Sequence, residues 1–146
     1  MADDLNGQIL YENFKYKEHF THLCDLKPNK DQGRFEISVV DEKQFQIPGA
    51  VYIFVVEGGI YKIGEATRVI SKRIKSYNNN KGTTNVRIKE ELLKINKTVA
   101  VYALFAPRAK CKLFDEEFES FVSTKAIEKK ILADFEVRPV GNRTKG

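Results

Sequence analysis

Apolar and polar positions change period several times along the chain, and each change predicts an element. In residues 8–23, "QILYENFKYKEHFTHL", Ile9, Leu10, Phe14 and Phe20 fall near helical spacing and predict a helix. "KPNKDQG" breaks that pattern with Pro, Asn and Gly, and "RFEISVV" then alternates like a strand with one buried face. Pro48-Gly49 closes a leader of 47 residues, too short for a core of its own. Residues 1–47 are therefore read as a helix-strand extension that packs on residues 48–146. "AVYIFVVE" and "IYKIGE" are apolar strands on either side of Gly58-Gly59, two residues free to adopt the positive φ angles of a tight hairpin loop.

Beyond the hairpin, Val69, Ile70, Ile74 and Tyr77 form an apolar stripe and predict a basic helix. "NNNKGTTN" is a polar loop, "VRIKEELLKI" a second helix, and "KTVAVYALFAP" a third strand ending at Pro107. Residues 114–135 read as helical, with Ser123-Thr124 placed to cap a new helix. The sum is an α/β fold: a small three-stranded antiparallel sheet flanked by helices.

Composition excludes several classes. No apolar run approaches the length of a membrane span, and the acidic start "MADDLNG" is not a secretory signal. Cys24 and Cys111 lie far apart, so no disulfide framework is implied and the cytoplasm of a bacterium or infected host fits best. His19, His22 and Cys24 lack a fourth zinc ligand, and Asp115, Glu116, Glu117 and Glu119 read as an exposed acidic face. The net charge is +5, unevenly spread. Residues 1–47 carry six Lys/Arg against nine Asp/Glu, whereas residues 60–97 carry ten against three. A basic concentration of that kind suits a polyanionic partner, although a solvated lysine-rich surface has the same composition.

The chemistry-bearing residues cluster where the charge does. Tyr52 lies on the first hairpin strand, Lys62-Ile63-Gly64 ends the second, and Arg73 and Tyr77 sit one turn apart on the basic helix. Strand alternation places Lys62 and Gly64 on one face and Tyr61 and Ile63 on the other. Farther on, "KAIEKKILADFEVRPVGN" supplies Glu128 and, fourteen residues later, Asn142. In order, these motifs resemble the GIY-YIG nuclease superfamily over about residues 48–142, in the bacteriophage and mobile-element branch with a Lys-Ile-Gly second motif. "KRIKSY" is similar to the form seen in bacterial nucleotide-excision nucleases.

The resemblance implies a metal-dependent endonuclease, a hydrolase that nicks double-stranded DNA as a monomer and cuts both strands as a homodimer or in two events. It implies a phage, mobile-element or restriction origin. Tyr52 would orient or deprotonate the attacking water, Arg73 would hold the scissile phosphate, Glu128 would bind Mg2+ or Mn2+, and Gly64 would be structural. The phenol of Tyr52 is a weak base at an ordinary pKa, so a cation such as Lys62 must ease its deprotonation. Which of Tyr61 and Lys62 acts stays open. Lys72, Lys75, Tyr77, Arg138 and Asn142 would contact DNA. That branch continues into a Glu-x-Phe element, which implies a domain cut short at Gly146. The alternative is a catalytically weak DNA-binding or regulatory module on the same fold, and a third reading is a repair factor that docks on a larger complex.

Overall fold

A computed structural model describes residues 8–143. Among these residues seven strands and three α-helices follow one another as β1 (Thr21–Asn29), β2 (Arg34–Val39), β3 (Pro48–Val56), β4 (Gly59–Val69), α1 (Ile70–Lys75), α2 (Thr83–Ile95), β5 (Val99–Phe105), β6 (Arg108–Leu113), β7 (Glu116–Phe121) and α3 (Thr124–Ala133). The main sheet is antiparallel in the order β2-β1-β5-β3-β4. It therefore has five strands where the sequence predicts three. The expected three are the contiguous set β5-β3-β4, and β1 pairs along the free side of β5 and brings β2 with it.

The uninterrupted apolar run of β3 follows from its position between two layers. Tyr52, Phe54 and Val56 face a cluster that includes Ile70, Ile74, Tyr77, Ile88 and Leu92 from α1, α2 and the adjoining turn. Val51, Ile53 and Val55 face the opposite cluster, with Phe14, Phe20, Ile131 and Leu132. Burial on both faces removes the need for polar alternation, so such a strand reads as continuous hydrophobic sequence. The β3–β4 loop is Glu57-Gly58, shifted by one from the predicted Gly58-Gly59. Both residues have positive φ (49° and 80°), as a two-residue turn matched to strand twist requires.

Two predicted helices are something else. Residues 8–23 form two short 3-10 turns, Tyr11–Asn13 and Lys17–His19, and then enter β1. The backbone there serves the sheet edge: the Tyr11 N–H donates to the Gly58 carbonyl at 2.7 Å and the Ile60 N–H to the Ile9 carbonyl at 2.8 Å. Residues 116–121 form β7, hairpin partner of β6, around Phe114-Asp115, which both have positive φ. Opposite charges face each other across this ribbon, Lys110 against Glu119 and Lys112 against Glu117, which favours pairing over a solvated helix. The helical stretch begins only at Thr124, after Ser123 accepts a hydrogen bond from the Ala126 N–H and caps α3 as predicted. Among the described residues no helix is long and apolar enough to cross a membrane.

Candidate active site

β4 is an edge strand, with α1 packed near one end of it and α3 against it from the opposite face. That placement gathers polar groups from β3, β4, α1 and α3 at one margin of the sheet. Tyr52 on β3 is fully buried, and its hydroxyl lies 2.6 Å from that of Tyr77. Arg73 of α1 donates from Nε to the Tyr52 hydroxyl at 3.2 Å, and its guanidinium carbon stands 5.5 Å from the centre of the Tyr77 ring. Gly64 pairs directly with Tyr52, and a Cβ there would sit 2.3 Å from the Tyr52 Cζ. No side chain fits at Gly64 without expelling the tyrosine, which gives that glycine its structural role.

The second motif departs from simple strand parity. Phe54 pairs with Lys62 but Val55 pairs with Ile60, so Tyr61 is the extra residue of a β-bulge. Tyr61 was expected on the face opposite Lys62 and Gly64. The bulge instead turns its ring into the cluster that holds Tyr52, Phe54 and Tyr77, while Ile60 and Ile63 pack in the other cluster. Its hydroxyl donates to Glu91 of α2 at 2.5 Å. Lys62 is 8% exposed. Burial, aided by Arg73 and Arg87 and opposed by Glu128, brings its ammonium down to about 8.

The cation paired with Tyr52 is Arg73, which corrects the expectation that Lys62 takes that part. Burial nevertheless holds the Tyr52 hydroxyl above the ordinary phenol range, against the pull of Arg73 and the Tyr77 hydrogen bond. Burial also keeps Tyr77 well above that range. Glu128 of α3 is partly buried, and its carboxyl is raised by that burial and by neighbouring Glu65, with Lys62, Lys125 and Arg73 acting the other way. Glu65 in turn accepts a hydrogen bond from Thr124 Oγ1 at 2.9 Å. Among the described residues no group of three or more His, Cys, Asp and Glu converges, and the carboxylates that could hold a cation here are Glu128 and its neighbour Glu65. Carboxylate oxygens of that kind fit Mg2+ or Mn2+, which take oxygen donors and complete their shells with water and phosphate.

The residues expected on DNA divide. Tyr77 is buried and holds Tyr52 instead of facing solvent. Asn142 clamps β4: its Oδ1 accepts from the Ile63 N–H and its Nδ2 donates to the Ile63 carbonyl, both at 2.7 Å. A carboxamide with both ends used in this way is a strand-edge bracket. Lys72 is exposed and lines an open cleft of about 490 Å³ with Glu65, Arg68, Arg73 and Ser76. Lys75 is also exposed, 5.9 Å from the centre of the Phe45 ring, and Arg138 is exposed with its carbonyl accepting from Arg143 Nε. Glu65, Arg68 and Arg87 escaped the sequence reading, which has Thr124 only at a helix cap. Glu65 had a signal, being a carboxylate immediately after Lys62-Ile63-Gly64.

No family model and no curated protein matches the sequence. Among solved structures, the fold is similar to that of restriction endonuclease HPY188I in complex with product DNA. The two share 39% identity over 99% of this chain and 91% of that one, with a TM-score of 0.74. A mutant of bacteriophage T4 EndoII is similar at a TM-score of 0.59, over 84% of this chain and 91% of that chain. At 18% identity that likeness is one of fold. Identity at more than a third of positions over nearly the full length is decisive: the chain belongs to the family of restriction endonuclease HPY188I.

Proposed function

We propose that this protein is a DNA endonuclease of the GIY-YIG type that hydrolyses a phosphodiester of double-stranded DNA with Mg2+ or Mn2+. Its setting would be restriction, phage or mobile-element biology in the cytoplasm of a bacterium or infected host. One observation carries this reading: the Arg73 guanidinium is bound to a buried Tyr52–Tyr77 hydroxyl pair beside Lys62 and Glu128. The likeness to a restriction endonuclease solved with product DNA supports it. Residues 48–146 would form the nuclease unit, and the segment before Pro48 would support it through β1 and β2.

Phosphodiester hydrolysis needs an activated water, a held phosphate and neutralisation of the charge that builds in the transition state. Arg73 spends Nε on Tyr52, which leaves its terminal nitrogens for phosphate oxygens in the planar geometry that suits them. Glu128, with Glu65 adding negative charge, would hold the cation, which supplies Lewis-acid polarisation of the phosphate. Tyr52 stays a protonated phenol near neutral pH and orients the water. Lys62 is the group here that changes protonation near pH 8, so its neutral amine accepts the proton of the water.

The sign of the pH dependence follows. An ammonium lowered to about 8 becomes the basic amine as pH rises through that value, so the cleavage rate should climb through about 8 and then level. Lys62→Met should lower the rate about a hundred-fold and abolish the climb. Tyr61→Phe should leave the rate within a few-fold and cost about 1.5 kcal/mol of stability through the lost Glu91 hydrogen bond. Single-turnover cleavage across a pH series checks both. An inactive Tyr61→Phe beside an active Lys62→Met would transfer the role to Tyr61.

The defining experiment incubates the protein with supercoiled plasmid and Mg2+ and resolves nicked from linear product. A single site predicts nicked circles first, with linear DNA from dimers or second events. Binding without cleavage under Mg2+ and Mn2+ would leave a DNA-binding module on a nuclease fold.

A further inference from the structure

A second cleft opens beside Lys62. It encloses about 510 Å³ and is lined by Lys62, Thr83, Thr84, Arg87, Gly141, Asn142 and Arg143. Three of these residues are cations and none is a carboxylate. The cleft lies at the start of α2, a helix of 13 residues whose N-terminal Gly82 has φ 83° and offers no side-chain cap. The first-turn N–H groups of such a helix have no internal acceptor and carry partial positive charge. Two further bonds fix the walls. Arg87 donates from Nη2 to the Gly141 carbonyl at 3.2 Å, and Arg143 donates from Nε to the Arg138 carbonyl at 2.9 Å.

Lys62 is the independent sign of a ligand. It is more than nine-tenths buried, borders this cleft, and makes no hydrogen bond or ion pair among the described residues. A buried amine without a hydrogen-bond partner is a polar group left unsatisfied until a ligand arrives to meet it. An uncapped helix start, two anchored arginines and the N–H groups of this amine, whose lone pair stays free for the water, form a receptor for a tetrahedral oxyanion.

We propose that this cleft is a second phosphate subsite, which holds a non-scissile phosphodiester of the DNA strand whose scissile phosphate lies at Arg73. Lys62 lines this cleft and links it electrostatically to the other, since it feels both Arg73 and Arg87. The proposal rests on the endonuclease reading and adds where the backbone runs: along the β4 edge from the Arg73 cleft toward the start of α2. Two phosphates held on either side of the water-activating group fix the strand in register. Loss of one would be felt in binding more than in chemistry.

The test replaces single phosphates flanking the cleavage position of a duplex oligonucleotide with neutral methylphosphonates. At one position the neutral linkage should raise KM about tenfold and leave kcat within twofold. The Arg87→Gln/Arg143→Gln variant should show that raised KM on the native duplex and no added penalty from the methylphosphonate, as expected for groups that interact directly. Arg143→Gln alone, at an exposed residue, keeps the test open if Arg87 proves necessary for folding. Independently of cleavage, DNA binding in EDTA should lose about 0.9 of salt-dependence slope in the variant for the one contact removed. An equal methylphosphonate penalty in wild type and variant, or an unchanged slope, overturns the subsite. Perturbation of the Thr83 and Thr84 amide resonances by inorganic phosphate without any methylphosphonate penalty makes the cleft a free-phosphate site and overturns it also. Failure of the endonuclease reading is separately visible as intact plasmid with the wild-type protein.

Discussion

Glu128→Gln is expected to lower Mg2+-dependent cleavage roughly a thousand-fold or more, about 4 kcal/mol of barrier. The amide keeps the shape of the side chain and one oxygen donor but loses the charge that would retain a divalent cation. Burial and the nearby Glu65 already raise the Glu128 carboxyl, so its ionised form is disfavoured in the metal-free protein. A carboxyl raised by folding is more easily ionised in the unfolded chain, so it subtracts stability as pH rises above the ordinary carboxylate range. Glu128→Gln should therefore leave the metal-free protein as stable or slightly more stable, and Mg2+ should raise the melting temperature of the wild type but not of the variant. DNA affinity without metal should hold or improve slightly, because a negative charge leaves the phosphate site. Plasmid cleavage by the variant at ordinary Mg2+ concentrations would identify Glu65 as the working ligand and move the metal to β4.

Much of the fold was legible because the sequence changes period where the structure changes element. The β3–β4 hairpin, α1, α2, β5 and the cap of α3 all follow from apolar spacing and turn chemistry. The failures have physical causes. Phe14 and Phe20 sit at spacing compatible with a helix, yet both anchor two 3-10 turns against the sheet while the backbone bonds to the β4 edge. Local period cannot show that an edge strand elsewhere needs partners. Residues 116–121 lie in an acidic run that suits a helix face, but their carboxylates answer lysines on β6, a non-local match.

The site was legible in its residues and less so in their orientation. Tyr52, Lys62, Arg73 and Glu128 come together, although alternation along β4 fails at Tyr61. Parity presumes an unbroken pleat, and the bulge is set by pairing with Val55 on the neighbouring strand. Asn142 was expected on DNA for a related reason. Its distance from Glu128 in sequence is easily read, but its clamp on Ile63 depends on where the last turn docks. Each mismatch in placement lies in a contact between distant segments, and the placements that agree rest on local pattern.

Arg73→Ala should reduce cleavage several hundred-fold, about 3–4 kcal/mol, with kcat falling more than KM rises. Charge on the phosphate oxygens grows toward the transition state, so a guanidinium aimed there contributes most at that point. The variant should also remain folded, since the apolar contacts of α1 come from Ile70 and Ile74, which are fully buried, and Arg73 is only half-buried. A second consequence distinguishes this residue from a general DNA contact. Arg73 is the cation that works against the raised Tyr52 hydroxyl, so its loss should push that phenol still higher and lengthen the silent range of tyrosine absorbance in an alkaline titration. Arg73→Lys should recover little activity, because an ammonium cannot bond the Tyr52 hydroxyl and present a planar pair of donors to phosphate at the same time. Near wild-type nicking by Arg73→Ala, or full rescue by Arg73→Lys, would show that positive charge alone is required and would remove the guanidinium from the reaction.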